Sequence, residues 1–100
     1  MAREPMRIGV DLGGTKIEVV VLDAHGAERL RERRDTPQGD YDGTLTVIVE
    51  LVEQARVVAG RASIGVGIPG AISAASGTVK NANSTVLNGR PLADDLAARL

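Results

Sequence analysis

One short segment of this 100-residue chain combines a carboxylate, two glycines, a hydroxyl and an amine: residues 11–16, Asp-Leu-Gly-Gly-Thr-Lys. Backbone N–H groups at a glycine turn can face an anion, and a threonine hydroxyl adds a further donor. A carboxylate beside them repels a bare phosphate, but it can hold a hydrated Mg²⁺ that bridges to one. The segment therefore predicts a phosphate-binding turn, with an ordinary Gly-Gly hairpin and a surface aspartate as the alternative.

The flanking residues indicate how this turn is positioned. Apolar runs at 6–10 and 17–22 are rich in β-branched residues and predict two strands that form a hairpin, with Asp11 at the mouth of its turn. Lys16 adds positive charge to the turn unless the alternation of the strand directs it elsewhere. A third strand is predicted over 27–35, and its many charged residues are typical of a sheet edge.

The rest of the chain alternates between helix and strand. Residues 42–59 have an apolar face with helical spacing that ends at Gly60, and residues 62–68 alternate strictly as a strand. A short hairpin is predicted between 71 and 80, and a second helix begins near Pro91. Three antiparallel strands, a crossover helix and a parallel strand make a mixed α/β sheet with two helices.

Composition excludes several classes of function. The net charge of −1 and a single aromatic residue, Tyr41, argue against binding of nucleic acid. The chain has no cysteine, and its one histidine, His25, lies in a turn without neighbouring metal ligands. No apolar run approaches the roughly 20 residues of a membrane helix, and no signal-peptide pattern is present. We expect a soluble, cytoplasmic protein that binds neither nucleic acid nor membrane.

Residues 65–70 match the dinucleotide-binding pattern G-x-G-x-x-G, but this match is weak. The pattern needs a helix immediately after it to bind pyrophosphate, whereas a loop and a hairpin are predicted here. A P-loop is absent as well, because no Gly-Lys-Ser/Thr follows a glycine at the required spacing.

Four motifs in order resemble the start of the ROK family (repressors, open reading frames, kinases), and within it the bacterial fructokinases or mannokinases. They lie at residues 11–16, 67–70, 81–84 and 87–92, so the resemblance covers nearly the whole chain. It implies an actin-like, ribonuclease H-like ATPase fold. It also implies that residues 1–100 are the incomplete N-terminal domain of a two-domain kinase, with a phosphate loop at 11–16 and sugar-side loops at 67–92.

The resemblance further implies transfer of the γ-phosphoryl of ATP to a hexose hydroxyl, with fructose or mannose as the expected acceptor. Asp11 would orient Mg²⁺ through water, and Asn83 would bond sugar hydroxyls. The implied cofactor-binding residues are Asp11, Gly13, Gly14, Thr15 and Lys16, and the implied sugar-binding residues are Gly70, Asn81 and Asn83. No catalytic residue is expected in this chain, because the family's catalytic aspartate follows beyond Leu100. The isolated chain is therefore expected to be inactive.

One departure from the family pattern and two alternatives accompany this interpretation. Val86 stands where relatives usually have tryptophan, so the wall beside the sugar loop is altered. A sugar-sensing ROK transcriptional regulator is one alternative, but such proteins carry a helix-turn-helix before an eroded phosphate loop. A non-catalytic actin-like module is the other, and the sugar-side motif at 81–92 argues against it. The full-length enzyme is expected to be a homodimer.

Overall fold

Eight elements follow one another in this computed structural model, which describes residues 5–60, 62–67, 71–72, 79–80 and 91–100 of the chain. Three strands come first: β1 (Arg7–Leu12), β2 (Lys16–Leu22) and β3 (Glu28–Asp35). Helix α1 (Tyr41–Ala59) then leads to β4 (Ser63–Gly67), to the two-residue strands β5 (Ala71–Ile72) and β6 (Val79–Lys80), and to helix α2 (Leu92–Arg99).

The main sheet has four strands in the order β3-β2-β1-β4. Strand β2 pairs antiparallel with both β1 and β3, and β4 pairs parallel with β1. The predicted mixed sheet is therefore confirmed, and so is the position of the charged strand β3 at an edge. Strand β1 runs two residues beyond the apolar run, so Asp11 lies inside the strand, opposite Glu18, and not at the mouth of the turn.

The hydrophobic core lies between one face of the sheet and helix α1. Every second residue of β1 and β2 points into this core, and the facing residues of α1 are buried. This arrangement follows because a sheet and an amphipathic helix each bury one apolar face against the other. The largest fully buried side chains, which include one from α2, are Ile8, Leu12, Ile17, Val19, Val21, Leu45, Ile48, Leu51, Val52 and Leu92. Aliphatic packing of this kind stabilises a fold by about 25 cal/mol for each Å² of apolar surface that is buried.

Helix α1 begins and ends with recognisable caps. Asp40 precedes it in an extended conformation, and its carboxylate accepts a hydrogen bond of 2.9 Å from the N–H of Gly43. At the other end Gly60 has a φ of 64°, a left-handed value that glycine adopts without strain, and its N–H donates to Arg56 at 2.8 Å. The predicted helix is thus confirmed, with a start one residue earlier than expected.

Helix α2 packs beside α1 through two buried leucines, Leu92 and Leu96. The Tyr41 hydroxyl also joins the two helices, donating to the Asp95 carboxylate at 2.5 Å. Pro91 stands at the N-cap of α2, one position before the first turn in which it was predicted. None of the helices in the described part of the chain has the length and apolar character that a membrane crossing requires.

The predicted hairpin between 71 and 80 is present as the antiparallel pair β5–β6. Residues 73–78, which connect the two strands of this hairpin, lie outside the described residues.

The turn between β2 and β3 is organised by a buried carboxylate, that of Asp23. Its Oδ1 atom accepts hydrogen bonds of 2.9 Å from the backbone N–H groups of Ala27 and His25, and its Oδ2 atom accepts one of 2.9 Å from Arg29. These donors, chiefly the Ala27 amide, hold the pKa of Asp23 below its ordinary value. The ionised carboxylate therefore stabilises the predicted turn at 23–26.

We expect Asp23→Ala to lower the urea midpoint of unfolding at pH 7. A carboxyl whose pKa is lower in the folded state contributes stability that is fully present above its unfolded pKa of about 3.9 and is lost as the pH falls through the folded value. The difference between wild type and variant should therefore shrink below about pH 4. Urea titrations between pH 7 and pH 2.5 measure it.

Asp23→Asn is the matched control, because its amide oxygen can still accept from both backbone N–H groups but carries no charge. The difference between the Asn and Ala variants should be independent of pH over this range. A constant difference between wild type and Asp23→Ala down to pH 2.5 would contradict the electrostatic explanation.

Candidate functional site

Residues 13–15 join β1 to β2 and form the turn that the sequence singled out. The turn is tight: the N–H of Gly13 donates to the carbonyl of Lys16 at 3.0 Å, directly after the last paired residues, Leu12 and Ile17. Gly13 and Gly14 are half-buried, whereas Thr15 and Lys16 are exposed. The predicted hairpin is confirmed, and its turn is accessible from solvent.

The two glycines of this turn are required for different reasons. A Cβ atom on Gly13 would lie 2.7 Å from the carbonyl oxygen of Lys16, so a side chain there would force the backbone apart. A Cβ atom on Gly14 would meet nothing within 4 Å, and the φ of Gly14 lies outside the left-handed region. The fold therefore explains Gly13, whereas nothing in the described part of the chain demands glycine at 14. A bare backbone there is what a closely approaching ligand needs.

Three successive carbonyl groups of the turn point to the same side, toward the segment that follows β3. Gly13 O accepts from the Thr36 hydroxyl at 2.9 Å, Gly14 O accepts from the Gln38 side chain at 2.7 Å, and Thr15 O accepts from the Thr36 N–H at 2.9 Å. In a trans peptide the N–H points opposite to the C=O. The N–H groups of Gly14 and Thr15 are therefore directed away from this segment.

These two N–H groups are the donors that an anion would use. Among the residues that the structure describes, neither of them donates a hydrogen bond, and the Thr15 hydroxyl has no partner there either. Two adjacent main-chain donors and one hydroxyl donor can bind phosphate oxygens. The turn thus has the donors that a phosphate site requires.

Asp11 lies on the sheet face opposite α1, where it is exposed. Its neighbours across the sheet are Glu18 on β2 and Gly67 on β4, and Gly9 and Gly65 continue a strip without side chains along the same face. Within the described ranges the Asp11 carboxylate makes no hydrogen bond or ion pair. An exposed carboxylate of this kind can hold a hydrated divalent cation, although no group of three or more metal-binding side chains occurs in those ranges.

Glu18, the neighbour of Asp11, is neutralised by arginines of the edge strand. Its carboxylate accepts from Arg31 at 2.6 Å and lies 3.6 Å from Arg33, and the hydrogen bond from Arg31 keeps the pKa of Glu18 below its usual range. Some of the positive charge of β3 is thus neutralised by a carboxylate of β2. Of the two acidic side chains on this part of the sheet, only Asp11 has a carboxylate free for a ligand within the described residues.

Lys16 was predicted to bind the phosphate groups, but in this structure its ammonium forms an exposed ion pair with Asp35 on β3. The same contact lowers the pKa of the Asp35 carboxyl. Exposed ion pairs of this kind contribute little to stability, so Lys16 is able to exchange partners when an anion binds. Its role as a phosphate ligand stays a prediction.

The predicted sugar-binding residues, Gly70, Asn81 and Asn83, lie outside the described residues. Conversely, no motif of the sequence pointed to Thr36 and Gln38, whose side chains contact the turn. No local signal identifies them, because the register that brings Asp35 opposite Lys16, and residue 36 beside Thr15, includes a shift between Val21 and Leu22.

Similar proteins were found by sequence and by structure. N-acetyl-D-glucosamine kinases of Histophilus somni and Shigella boydii are 38% and 42% identical over 96 residues, which is 95% of this chain and 32% of each relative. The crystal structure of a ROK family glucokinase from Streptomyces griseus in complex with glucose and AMPPNP matches 95% of this chain and 30% of its own, with a TM-score of 0.79 and 30% identity. The chain thus spans about a third of these relatives.

The fold is that of an actin-like ATPase domain, as the sequence predicted. A ROK family transcriptional regulator homologous to an Escherichia coli protein shares it at a TM-score of 0.66, but at 18% identity it shows likeness of fold alone. The family model for ROK matches residues 7–100. The chain therefore belongs to the ROK family.

Proposed function

We propose that this chain is the N-terminal part of an ATP-dependent sugar kinase, and that the turn at residues 13–15 binds phosphate groups of ATP. The observation that carries the proposal is the pair of main-chain N–H groups at Gly14 and Thr15, which point away from the segment after β3 and lie beside open space at Gly14. The sequence similarity to sugar kinases over 95% of the chain supports it.

The reaction would be transfer of the γ-phosphoryl group of ATP to a hydroxyl of a hexose. In such transfers the protein contributes mainly by positioning the phosphates and stabilising their charge. Gly14 and Thr15 would donate to phosphate oxygens through their N–H groups, and the Thr15 hydroxyl would add a third donor. We propose no catalytic base among residues 1–100, since the resemblance implies that the motif with the family's catalytic aspartate follows Leu100.

Mg²⁺ would neutralise charge on the phosphates. Asp11 suits such an ion, because it is an exposed carboxylate without a partner in the described residues, and because Mg²⁺ prefers oxygen ligands and keeps several of its waters. Asp11 would therefore hold the ion through water, as the resemblance implied. Lys16 is a further candidate for the phosphates if it leaves Asp35.

For the acceptor we propose N-acetyl-D-glucosamine or glucose. The resemblance of the motifs suggested fructose or mannose, and the relatives named above do not support that preference. Gly70, Asn81 and Asn83 remain the proposed sugar-binding residues, within proposed sugar-side loops at 67–92.

A sugar-sensing transcriptional regulator is the second candidate, since a ROK regulator has the same fold. The intact turn favours the kinase, because a protein that only senses sugar has no need for outward-facing N–H groups or for a carboxylate beside them. The far higher identity to sugar kinases supports the same choice.

The two turn glycines allow a discriminating test in the full-length protein. Gly14→Val should leave the melting temperature nearly unchanged, because its Cβ atom meets nothing within 4 Å. It should nevertheless lower kcat/KM for ATP by about 100-fold or more, since displacing a reacting group by about 1 Å can cost that much. Steady-state kinetics with varied ATP and calorimetry measure the two effects.

Gly13→Ala is the matched control, because its side chain collides with the Lys16 carbonyl and should lower the melting temperature as well as the activity. Near-normal use of ATP by Gly14→Val would remove this turn from the active site.

The sugar side is tested by Asn83→Ala. We expect this variant to raise KM for the sugar by roughly 2- to 12-fold, the equivalent of about 0.5–1.5 kcal/mol for a hydrogen bond to a neutral hydroxyl. KM for ATP should change much less. A selective rise in KM for ATP would mean that the two sides of the cleft have been assigned in reverse.

The preferred acceptor can be measured directly with the full-length protein. A coupled assay for ADP should give kcat/KM values for N-acetyl-D-glucosamine or glucose that exceed those for fructose and mannose by a factor of about 10 or more. A preference for fructose would restore the acceptor that the motifs first suggested. Absence of sugar-dependent ADP formation, together with sugar binding, would favour the regulator.

A further inference from the structure

The segment from Thr36 to Gln38 contacts every carbonyl of the proposed phosphate turn, although it lies more than 20 residues away in sequence. Thr36 is buried and uses both of its donors: its hydroxyl reaches Gly13 O at 2.9 Å and its N–H reaches Thr15 O at 2.9 Å. Gln38 donates from one side-chain nitrogen to Gly14 O at 2.7 Å and to Thr36 O at 3.2 Å.

This segment is itself held at both ends. It begins where β3 ends, at the Asp35–Lys16 pair, and it leads into Asp40, the N-cap of α1. The buried Thr44 of α1 donates to Asp40 O at 2.8 Å and lies 3.4 Å from Pro37 O. Pro37 also has a restricted φ. The donors at 36 and 38 are therefore fixed relative to the sheet and the helix.

The turn that they contact would otherwise be free to change conformation. The peptide between Gly13 and Gly14 has a glycine on each side, so rotation of its plane meets little steric resistance. Such a rotation would turn the N–H of Gly14 away from a phosphate. The hydrogen bond from Thr36 to Gly13 O opposes it, because this bond is lost when the plane rotates.

From this geometry we infer that Thr36 and Gln38 are positioning residues, which hold the turn carbonyls from behind and so keep the N–H groups of Gly14 and Thr15 directed at the nucleotide. The identity of the ligand rests on the proposed function. The bracing, by which we mean the support of the turn carbonyls by Thr36 and Gln38, does not depend on that function. Preorganised donors bind and stabilise charge better than donors that must first be ordered.

Thr36→Val tests the inference most directly. Valine has nearly the shape of threonine and keeps the N–H that bonds Thr15 O, so the substitution removes only the hydroxyl that bonds Gly13 O. In the full-length protein we expect KM for ATP to rise about 10-fold, while KM for the sugar changes less than about twofold. Thr36→Ser keeps the hydroxyl and should retain activity within about threefold of wild type. Gln38→Met should also affect ATP selectively.

Thr46→Val is the matched control. The hydroxyl of Thr46 also bonds a backbone carbonyl, that of Asp42 at 3.0 Å, but it does so on the exposed side of α1. This variant undergoes the same substitution and loses the same kind of bond, so it should leave both Michaelis constants unchanged. Equal changes in KM for ATP and sugar in Thr36→Val, or no change in either, would overturn the inference.

A second measurement does not depend on catalysis. In NMR relaxation of the full-length protein, the order parameter of the Gly14 N–H should fall in Thr36→Val and remain at the wild-type value in Thr36→Ser and Thr46→Val. An unchanged Gly14 order parameter in Thr36→Val would overturn the bracing even if ATP use declined. A wild-type protein without sugar kinase activity would overturn the proposed function, and the order parameters would then decide the bracing by themselves.

Discussion

The one-sided burial of strand β1 decides where the chemistry of this chain can take place. Its alternate residues Ile8, Val10 and Leu12 are buried against the core, and the strand is paired on both of its edges. Because side chains alternate between the two faces of a strand, Gly9 and Asp11 must lie on the face opposite α1. A shift of one residue would bury the carboxylate and expose the aliphatic side chains, so the hydrophobic core itself sets the position of Asp11.

The turn after β1 depends on a division between its carbonyl and its N–H groups. The carbonyls of Gly13, Gly14 and Thr15 face donors of the protein, and the N–H groups of Gly14 and Thr15 face outward. Glycine at 14 leaves room for a ligand but also gives the backbone freedom to rotate. The contacts from Thr36 and Gln38 offset that freedom. The turn can therefore lack a side chain at residue 14 and still keep one backbone conformation.

The periodic parts of this fold were predictable from the sequence alone. The aliphatic period of α1, the alternation in β4 and the charges of β3 each reflect burial on one side, and they led to the observed elements. The position of Asp11 was predicted wrongly, at the mouth of the turn, because this polar residue looked like the end of the apolar run. A strand that is covered on one face accepts a polar residue at every second position, so β1 continues through Asp11.

The contacts of Thr36 and the partner of Lys16 could not be predicted in the same way. Both depend on the register between β2 and β3, and this register includes an irregularity at Val21 and Leu22 that shifts the pairing. Local patterns indicate which segments are strands, but the geometry of the turn between two strands decides which of their residues meet. The turn at 23–26 is shaped by the bonds of a single carboxylate, Asp23, whose partners are known only from the folded chain.

The balance of charge around the turn explains why a metal ion belongs in the proposed mechanism. Lys16 is engaged with Asp35, and the arginines nearest the sheet face are engaged with Glu18, so little positive charge remains for a phosphate in the described part of the chain. Asp11 adds an uncompensated negative charge close to the turn. Two N–H groups and a hydroxyl carry only partial charges and would have to work against this carboxylate. A divalent cation held by Asp11 through water would offset that repulsion, because such an ion attracts both carboxylate and phosphate oxygens. On the proposed function, the carboxylate is therefore favourable only together with the ion, and nucleotide and metal would bind as one ligand.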